Sequence, residues 1–234
     1  MQREPTGYIR SVFSEVPTTY ELVNHILTFG LDVLWRNRAA RVAARSAGSA
    51  WADLCTGTGE MAALLQRLAP EGTTVYAVDL TPAMIVQARK KRGAKETRFL
   101  LSDVKVLPFP DQSLDLITLS FAARNINLSK DVLVRTFAEF RRVLRPGGRV
   151  VNLETSQPTS DLIRRGFHLH VKLLVKPIGS RVSGSRRGYA YLAHTIPRFY
   201  PAEELEEIFY RAGFSDVTYK RMLFGVAAIH QAVR

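Results

Sequence analysis

A single cysteine, Cys55, stands in 234 residues, which excludes an internal disulfide framework and fits a reducing compartment. No stretch reaches the ~18 to 20 apolar residues of a membrane span, and no signal peptide opens the chain, so the sequence predicts a soluble, cytoplasmic protein. Five scattered histidines, with no second cysteine and no H-E-x-x-H spacing, argue against a metal site. Internal repeats and low-complexity tracts are absent as well. What is present, at 46% hydrophobic residues, is enough for one sizeable core, hence one domain with an insertion.

Acidic residues are outnumbered, 21 against 33 basic ones, for a formal net charge of +12 and a pI near 10.2. Nucleic acid and an anionic membrane surface are the partners such a balance favours. Much of the charge, at residues 88–92 and 140–145, is interspersed along helices and reads as a solvated face. Residues 181–187, Arg-Val-Ser-Gly-Ser-Arg-Arg, have no apolar periodicity. They read as a flexible basic loop suited to phosphate head groups.

Residues 51–60, Trp-Ala-Asp-Leu-Cys-Thr-Gly-Thr-Gly-Glu, run a short apolar strand with an acid near its end into a glycine turn and then a helix. Gly57 and Gly59 lack a Cβ, so the backbone can approach a ligand closely while the first N–H groups of the helix stay free to bond it. The next strand, 74–79, ends in Asp79, about where the dinucleotide fingerprint places the acid that holds ribose hydroxyls, roughly 20 residues on. Residues 57–62 also satisfy the G-x-G-x-x-G/A pattern of NAD-binding folds. Asp53 decides between the cofactors. A pyrophosphate beside that carboxylate would cost roughly 4 kcal/mol at 4 Å and intermediate dielectric, whereas the sulfonium and ammonium groups of S-adenosylmethionine (SAM) have the opposite preference. On this reading Asp53 orients the turn and the methionine end, and Asp79 accepts from the ribose. The plainer alternative is that Asp53 only caps the turn.

Apolar strands alternate with amphipathic helices, which predicts a doubly wound parallel sheet with helices on both faces. Thr81 and Pro82 open one helix. Strands follow at 97–101 and 114–120, a helix runs from Ser129 to near Leu144, and Pro146-Gly147-Gly148 stops it before a strand at 149–153. A helix over 201–212 and an antiparallel hairpin, 216–222 with 225–233, close the chain. Ligands in such sheets bind outside the carboxyl ends of the strands, so Asp53, Asp79, Asp103 and Ser120 should converge on one crevice. With Gly57, Thr58, Gly59, Leu80 and Val104 they are the expected cofactor-binding residues. Residues 156–200 break the rhythm with an apolar and basic helix, the basic loop and a tyrosine pair, and would cover the crevice as a lid.

The chain resembles the class I SAM-dependent methyltransferases and, more closely, the UbiE/COQ5 family of quinone-biosynthesis C-methyltransferases. The wider class rests on residues 53–59. The narrower likeness rests on Val12-Phe13 with Tyr20, Asn24, Phe29-Gly30 and Leu34-Trp35-Arg36, on Leu107-Pro108-Phe109-Pro110-Asp111, on Ser120-Phe121 with Arg124-Asn125, on Leu144-Arg145-Pro146-Gly147-Gly148, on Tyr189-Ala190-Tyr191-Leu192 before Ile196, and on residues 225–230. Glu21 departs from the family's usual aspartate, Cys55-Thr56 from its small pair, and residues 183–187 from its polar or acidic stretch.

The resemblance implies a Rossmann-like seven-stranded α/β sheet with a helical lid insertion, a single domain over 1–234 whose first 45 residues form a helical cap. It implies methylation of a ring carbon on a polyprenylated quinol, demethylmenaquinol or a ubiquinone-type precursor, by a protein that visits the membrane periphery. It leaves a homodimer open. The ring must be reduced, because a quinone is too electron-poor to attack a methyl group. Arg124 suits stabilisation of the ring oxyanion, and the alternative is that it pairs with a carboxylate. His230 has the better intrinsic pKa for proton transfer, or is a structural histidine. Tyr191 joins them as a catalytic candidate, and Tyr20, Asn125 and Tyr189 as substrate contacts. An RNA methyltransferase would explain the charge but lacks a stacking platform, an Asn-Pro-Pro-Tyr motif and a catalytic cysteine pair, so no nucleic acid is expected. A methyltransferase of another phenol or lipid is told apart by whether the lid encloses a long apolar tunnel or a compact pocket.

Overall fold

The apolar runs are strands: β1 Ala50–Leu54, β2 Thr74–Asp79, β3 Arg98–Leu101, β4 Leu114–Ser120, β5 Leu144–Thr155, β6 Ser215–Met222 and β7 Ala227–Val233. This computed structural model describes residues 19–183 and 186–234, with side chains for all of these except Tyr20, Arg186 and Arg187. The strands make one sheet in the order β3-β2-β1-β4-β5-β7-β6. The first five are parallel, while β7 runs antiparallel to β5 on one side and to β6 on the other. The sheet is therefore mixed, and the closing hairpin is inserted with its second strand innermost.

Period-two alternation sends each strand's apolar residues to both faces. On one face Ala52, Leu54, Ile117, Leu119 and Val150 meet Leu133, Phe137 and Phe140 of helix Lys130–Val143 and Leu205, Ile208 and Phe209 of helix Ala202–Arg211. Phe137 and Phe209 stack at 4.2 Å between ring centroids. On the other face Trp51, Leu116, Val151 and Leu153 meet Trp35, Ala39, Ala40 and Ala43 of helix Leu31–Ala43 and Met61, Leu64 and Leu65 of helix Glu60–Leu68. Burying Trp51 or Phe137 fully stabilises the fold by about 1.5 to 3 kcal/mol each.

Boundaries shift in two places. Strand β5 starts at Leu144, directly after the preceding helix. Leu114 pairs with Leu144 but Leu116 with Arg149, so residues 145–148 bulge out of the ladder. The stretch expected as a basic loop is helical on both sides of residues 184 and 185, with Lys176–Ser183 before them and Arg186–Thr195 after. The lid is a chain of helices, Asp161–His170 passing through a π turn, Val171–Val175, into Lys176–Ser183. Its core of Val171, Val175, Tyr189 and Leu192 takes in Val23 from helix Tyr20–Leu27, and His170 Nε2 donates to the Leu27 carbonyl at 3.0 Å. The described part of the cap and the lid pack as one layer over the sheet's carboxyl edge.

Candidate active site

After β1 the chain turns sharply through Cys55 at φ 52°, Gly57 at 56° and Gly59 at 83°, the left-handed region that glycine enters without strain. A Cβ on Gly57 would have nothing nearer than 4.0 Å, leaving open space above it, whereas one on Gly59 would lie 2.8 Å from Ala88 Cβ. The two glycines serve different ends. Gly57 opens the turn to a ligand, and Gly59 lets helix Glu60–Leu68 approach helix Pro82–Ala88.

The turn is fixed by two carboxylates. Asp53 accepts from Thr56 Oγ1 at 2.6 Å and from Thr118 Oγ1 at 2.7 Å. Asp79 accepts from the Gly57 N–H and the Thr81 N–H, each at 2.8 Å. Burial pushes the Asp53 carboxyl up to about 6 against the pull of those two hydroxyls, and burial also raises Asp79. Burial, with Asp79, Asp53 and Asp103 around it, raises the Cys55 thiol well above its ordinary value, so it is no reactive thiolate.

Asp53, Gly57, Thr58, Asp79, Leu80, Asp103, Val104 and Ser120 line one cavity of about 130 Å³ at the carboxyl ends of β1 to β4. Gly59 does not line it, for the packing reason above. Asn125 does, so the structure places it with the cofactor residues rather than in a separate substrate pocket. Ser120 Oγ and Asn125 Oδ1 are buried there without a partner among the described residues, a cost that a bound polar ligand would remove. Four carboxylates, those of Asp53, Glu60, Asp79 and Asp103, border the cavity. That donor set fits a cationic sulfonium with a ribose diol and does not fit a pyrophosphate.

A second cavity, about 510 Å³ and largely apolar, lies between the lid and the sheet edge, lined by Leu27, Phe29, Trp35, Ile163, Phe167, Leu192 and Phe224, with Arg124 and His170 among its few polar groups. Arg36 and Phe121 border both cavities. The Arg36 guanidinium lies 5.2 Å from the Phe121 ring centroid, and its Nη1 reaches Asp32 at 2.7 Å and Glu60 at 2.8 Å. Burial pushes Asp32 up, but the Arg36 charge with hydrogen bonds from Thr28 and Arg36 brings it below its ordinary value. Burial keeps Glu60 above its own. Glu21, His25 and Glu60 also come within 4.8 Å of one another. Glu21 and Glu60 are held by ion pairs to Lys91 and Arg36, and His25 Nδ1 is hydrogen-bonded to the Asp32 carboxyl at 2.7 Å.

Arg124 is buried in an ion pair with Glu154 at 2.7 Å, the alternative the sequence left open, and it still borders the apolar cavity. His230 reaches neither cavity. It sits inside the opposite face of the sheet, 1% exposed, donating from Nε2 to the Ala202 carbonyl at 2.9 Å, and burial depresses its pKa to about 4. Period two explains the misplacement, because Leu119, Asn152 and His230 lie side by side on the face that packs against Phe209. Tyr189 lies against Gly179, where a Cβ would fall 2.1 Å from its ring. It is lid core, as Tyr191 partly is, and neither lines either of these two cavities; Leu192 and Ile196 line the apolar one instead. The Tyr20 side chain, and those of Arg186 and Arg187, lie outside the described residues. Sequence reasoning passed over Arg36, Glu60 and Phe121 as site residues, although Arg36 four residues after Asp32, in line with Glu60 at a helix start, was the available signal.

A parallel sheet reversed at one edge, with acids at successive strand ends around a glycine turn, defines a class I SAM-dependent methyltransferase. The model of the ubiE/COQ5 methyltransferase family matches residues 1–234. The chain is 38% identical over 221 residues to a demethylmenaquinone methyltransferase of Thermus thermophilus, covering 94% of this chain and 98% of that one. It is 34% identical over 231 residues to the ubiquinone/menaquinone biosynthesis C-methyltransferase UbiE of Dinoroseobacter shibae, covering 97% and 90%. The crystal structure of a SAM-dependent methyltransferase from Thermotoga maritima, described as a possible histamine N-methyltransferase, has the same fold, with a TM-score of 0.64 at 18% identity over 96% of this chain and 99% of that one. The chain belongs to the ubiE/COQ5 methyltransferase family.

Proposed function

We propose that this enzyme methylates a ring carbon of a prenylated quinol, demethylmenaquinol or a ubiquinone-type precursor, and collects that substrate at the membrane surface. The observation that carries the reading is the pair of cavities sharing Arg36 and Phe121 as a wall, a small one bordered by four carboxylates and a largely apolar one of about 510 Å³. The second is within the usual range for a ligand of drug size or larger, and its lining suits an isoprenoid tail better than a compact polar phenol. The names of the Thermus thermophilus and Dinoroseobacter shibae relatives support a quinone precursor.

Bound SAM supplies an electrophilic methyl group on its sulfonium. The chain's own residues then have three tasks. Asp53, Asp79, Ser120 and Asn125 hold the cofactor's polar groups. Arg124, fixed by Glu154, stabilises the ring oxyanion whose ortho carbon attacks. His170 takes the phenolic proton that frees the oxyanion, and the ring C–H proton leaves after the methyl carbon has bonded to the ring and parted from sulfur, restoring the aromatic quinol; donating from Nε2 to the Leu27 carbonyl, His170 offers Nδ1 as the acceptor. Phe121 and Trp35, 6.4 Å apart between centroids, help to exclude water where the two cavities meet.

The test is incubation of the enzyme and labelled SAM with reduced demethylmenaquinone and, separately, with reduced demethoxy-ubiquinone precursors. Label on a ring carbon of either supports the reading. Label on neither, with SAM still bound, overturns it.

A further inference from the structure

Eight arginines and lysines and no acidic residue lie between Asp161 and Glu203, and the stretch opens with one continuous helical rod, Asp161–His170 through Val171–Val175 into Lys176–Ser183. The two sides of this rod differ. Ile163, Phe167, His170, Val171 and Val175 turn toward the apolar cavity. Leu162, Arg165, Leu169, Lys172, Leu173 and Lys176 recur at helical spacing on the other side and are exposed. Leu162 is 81% exposed, Leu169 54% and Leu173 56%. Leucines alternating with cations of one sign form the pattern of a helix that lies in a bilayer interface.

The mouth of the cavity shows the same preference. Phe29 and Phe224 line it yet are 78% and 73% exposed. Each is held at a positive φ, 53° and 55°, a conformation that bulky residues enter only under constraint. Both aromatic rings are therefore presented outward at the edge of the opening, against local preference.

We propose that the outer stripe of this rod, together with Phe29 and Phe224, docks on an anionic lipid bilayer and seats the cavity mouth against the acyl chains. The proposal rests on the quinol reading, since it gives a tail that stays in the bilayer a dry path inward. Charge decides among occupants. A second copy meeting this face across a two-fold axis would oppose like charges. An RNA backbone would gain nothing from three exposed leucines and two phenylalanines. A bilayer of anionic head groups over hydrocarbon satisfies both components at once.

The experiment uses the full chain with phosphatidylcholine vesicles made with or without phosphatidylglycerol. Wild type sediments with the anionic vesicles, and the L162Q/L169Q/L173Q variant binds them at least about tenfold more weakly, as loss of buried leucine surface requires. Glutamine keeps the helix, and none of the three leucines lines the cavity, so transfer to a short-tailed quinol dissolved in water stays at the wild-type rate. Phe29→Trp and Phe224→Trp variants are quenched by vesicles with brominated acyl chains. Wild-type binding by the glutamine variant, or no quenching at either tryptophan, overturns the proposal. Dimerisation abolished by the glutamines, without vesicle binding, overturns it as well and assigns the face to a second copy. Vesicle binding with quenching, but no transfer to any quinol, supports the docking surface and sinks the quinol reading instead.

Discussion

Arg124 donates to Glu154 at 2.7 Å with both side chains almost wholly buried, and the same residue borders the apolar cavity beneath the lid. Arg124→Lys keeps the charge but loses the planar fork. It should lower kcat more than it raises the KM for SAM. Glu154→Gln leaves an uncompensated buried cation and should destabilise the fold by about 3 to 5 kcal/mol. Chemical denaturation and steady-state kinetics separate the two effects. Near wild-type turnover of Arg124→Lys at saturating quinol would return Arg124 to a purely structural role.

The Asp53 carboxyl, pushed up to about 6 mainly by burial, makes SAM binding depend on pH. Below that value Asp53 is protonated in the ligand-free protein, and a sulfonium favours its ionised form. Affinity should therefore fall as pH drops below 6, approaching tenfold per unit, with proton release on binding in that window. Calorimetry in two buffers of different ionisation heat measures the released proton directly. Flat affinity from pH 5 to 7 would leave Asp53 as a cap of the turn alone.

The two histidines should separate cleanly. His170→Gln removes the acceptor at the cavity and should depress kcat for the quinol while leaving SAM affinity unchanged, read by steady-state kinetics and calorimetry. His230 acts on stability. Its pKa is lowered from 6.5 to about 4, so below pH 6.5 the unfolded chain binds a proton that the folded chain refuses until about pH 4. Unfolding becomes easier across that window, by on the order of 3 kcal/mol in total, and changes no further below it. His230→Gln retains an N–H donor for the Ala202 carbonyl without titrating. Urea unfolding of that variant should show a shallower loss between pH 6.5 and 4.

Gly179→Ala would drive a Cβ to within 2.1 Å of the Tyr189 ring, and neither the ring nor the helix can give by that much. Overpacking of this kind costs typically 1 to 3 kcal/mol. Hydrogen exchange should accelerate in residues 161–195 while β1 and β4 keep their protection, because the lid has its own core. Uniform acceleration across the sheet would show that lid and sheet unfold as one unit.

The strand ends were the most legible part of the sequence. Topology forces Asp53, Asp79, Asp103 and Ser120 to one edge once the βα alternation is recognised, and short-range pattern carries that alternation. His230 and the tyrosine pair were misplaced because their position depends on which face of a strand or helix is turned inward. For His230 this is settled by pairing with β5, a contact between distant parts of the chain. The second cavity was illegible as well, since its walls come from the first helices, the lid and the turn between β6 and β7. No local period joins these. Arg36 lay within reach, in a motif already singled out, but only its meeting with Glu60 and Phe121 gives it a place between the cavities.

The placement of β7 between β5 and β6 has a consequence for how the chain reaches this structure. When β6 leaves the ribosome its native neighbour is missing, since among the described residues it pairs with β7 alone, which has not yet been made. Until then β5 is an uncovered edge, from Arg149 to Thr155, that any extended segment could pair with. Among the described strands β6 enters the sheet through β7, whose pairing with β5 spans a longer sequence separation than that of β4 with β5 and is one of the slower steps available to the chain. Glu154, the anchor of Arg124, lies on that strand. Its final surroundings are assembled only when the hairpin docks, so binding competence should appear late in refolding, after most of the helical signal has returned.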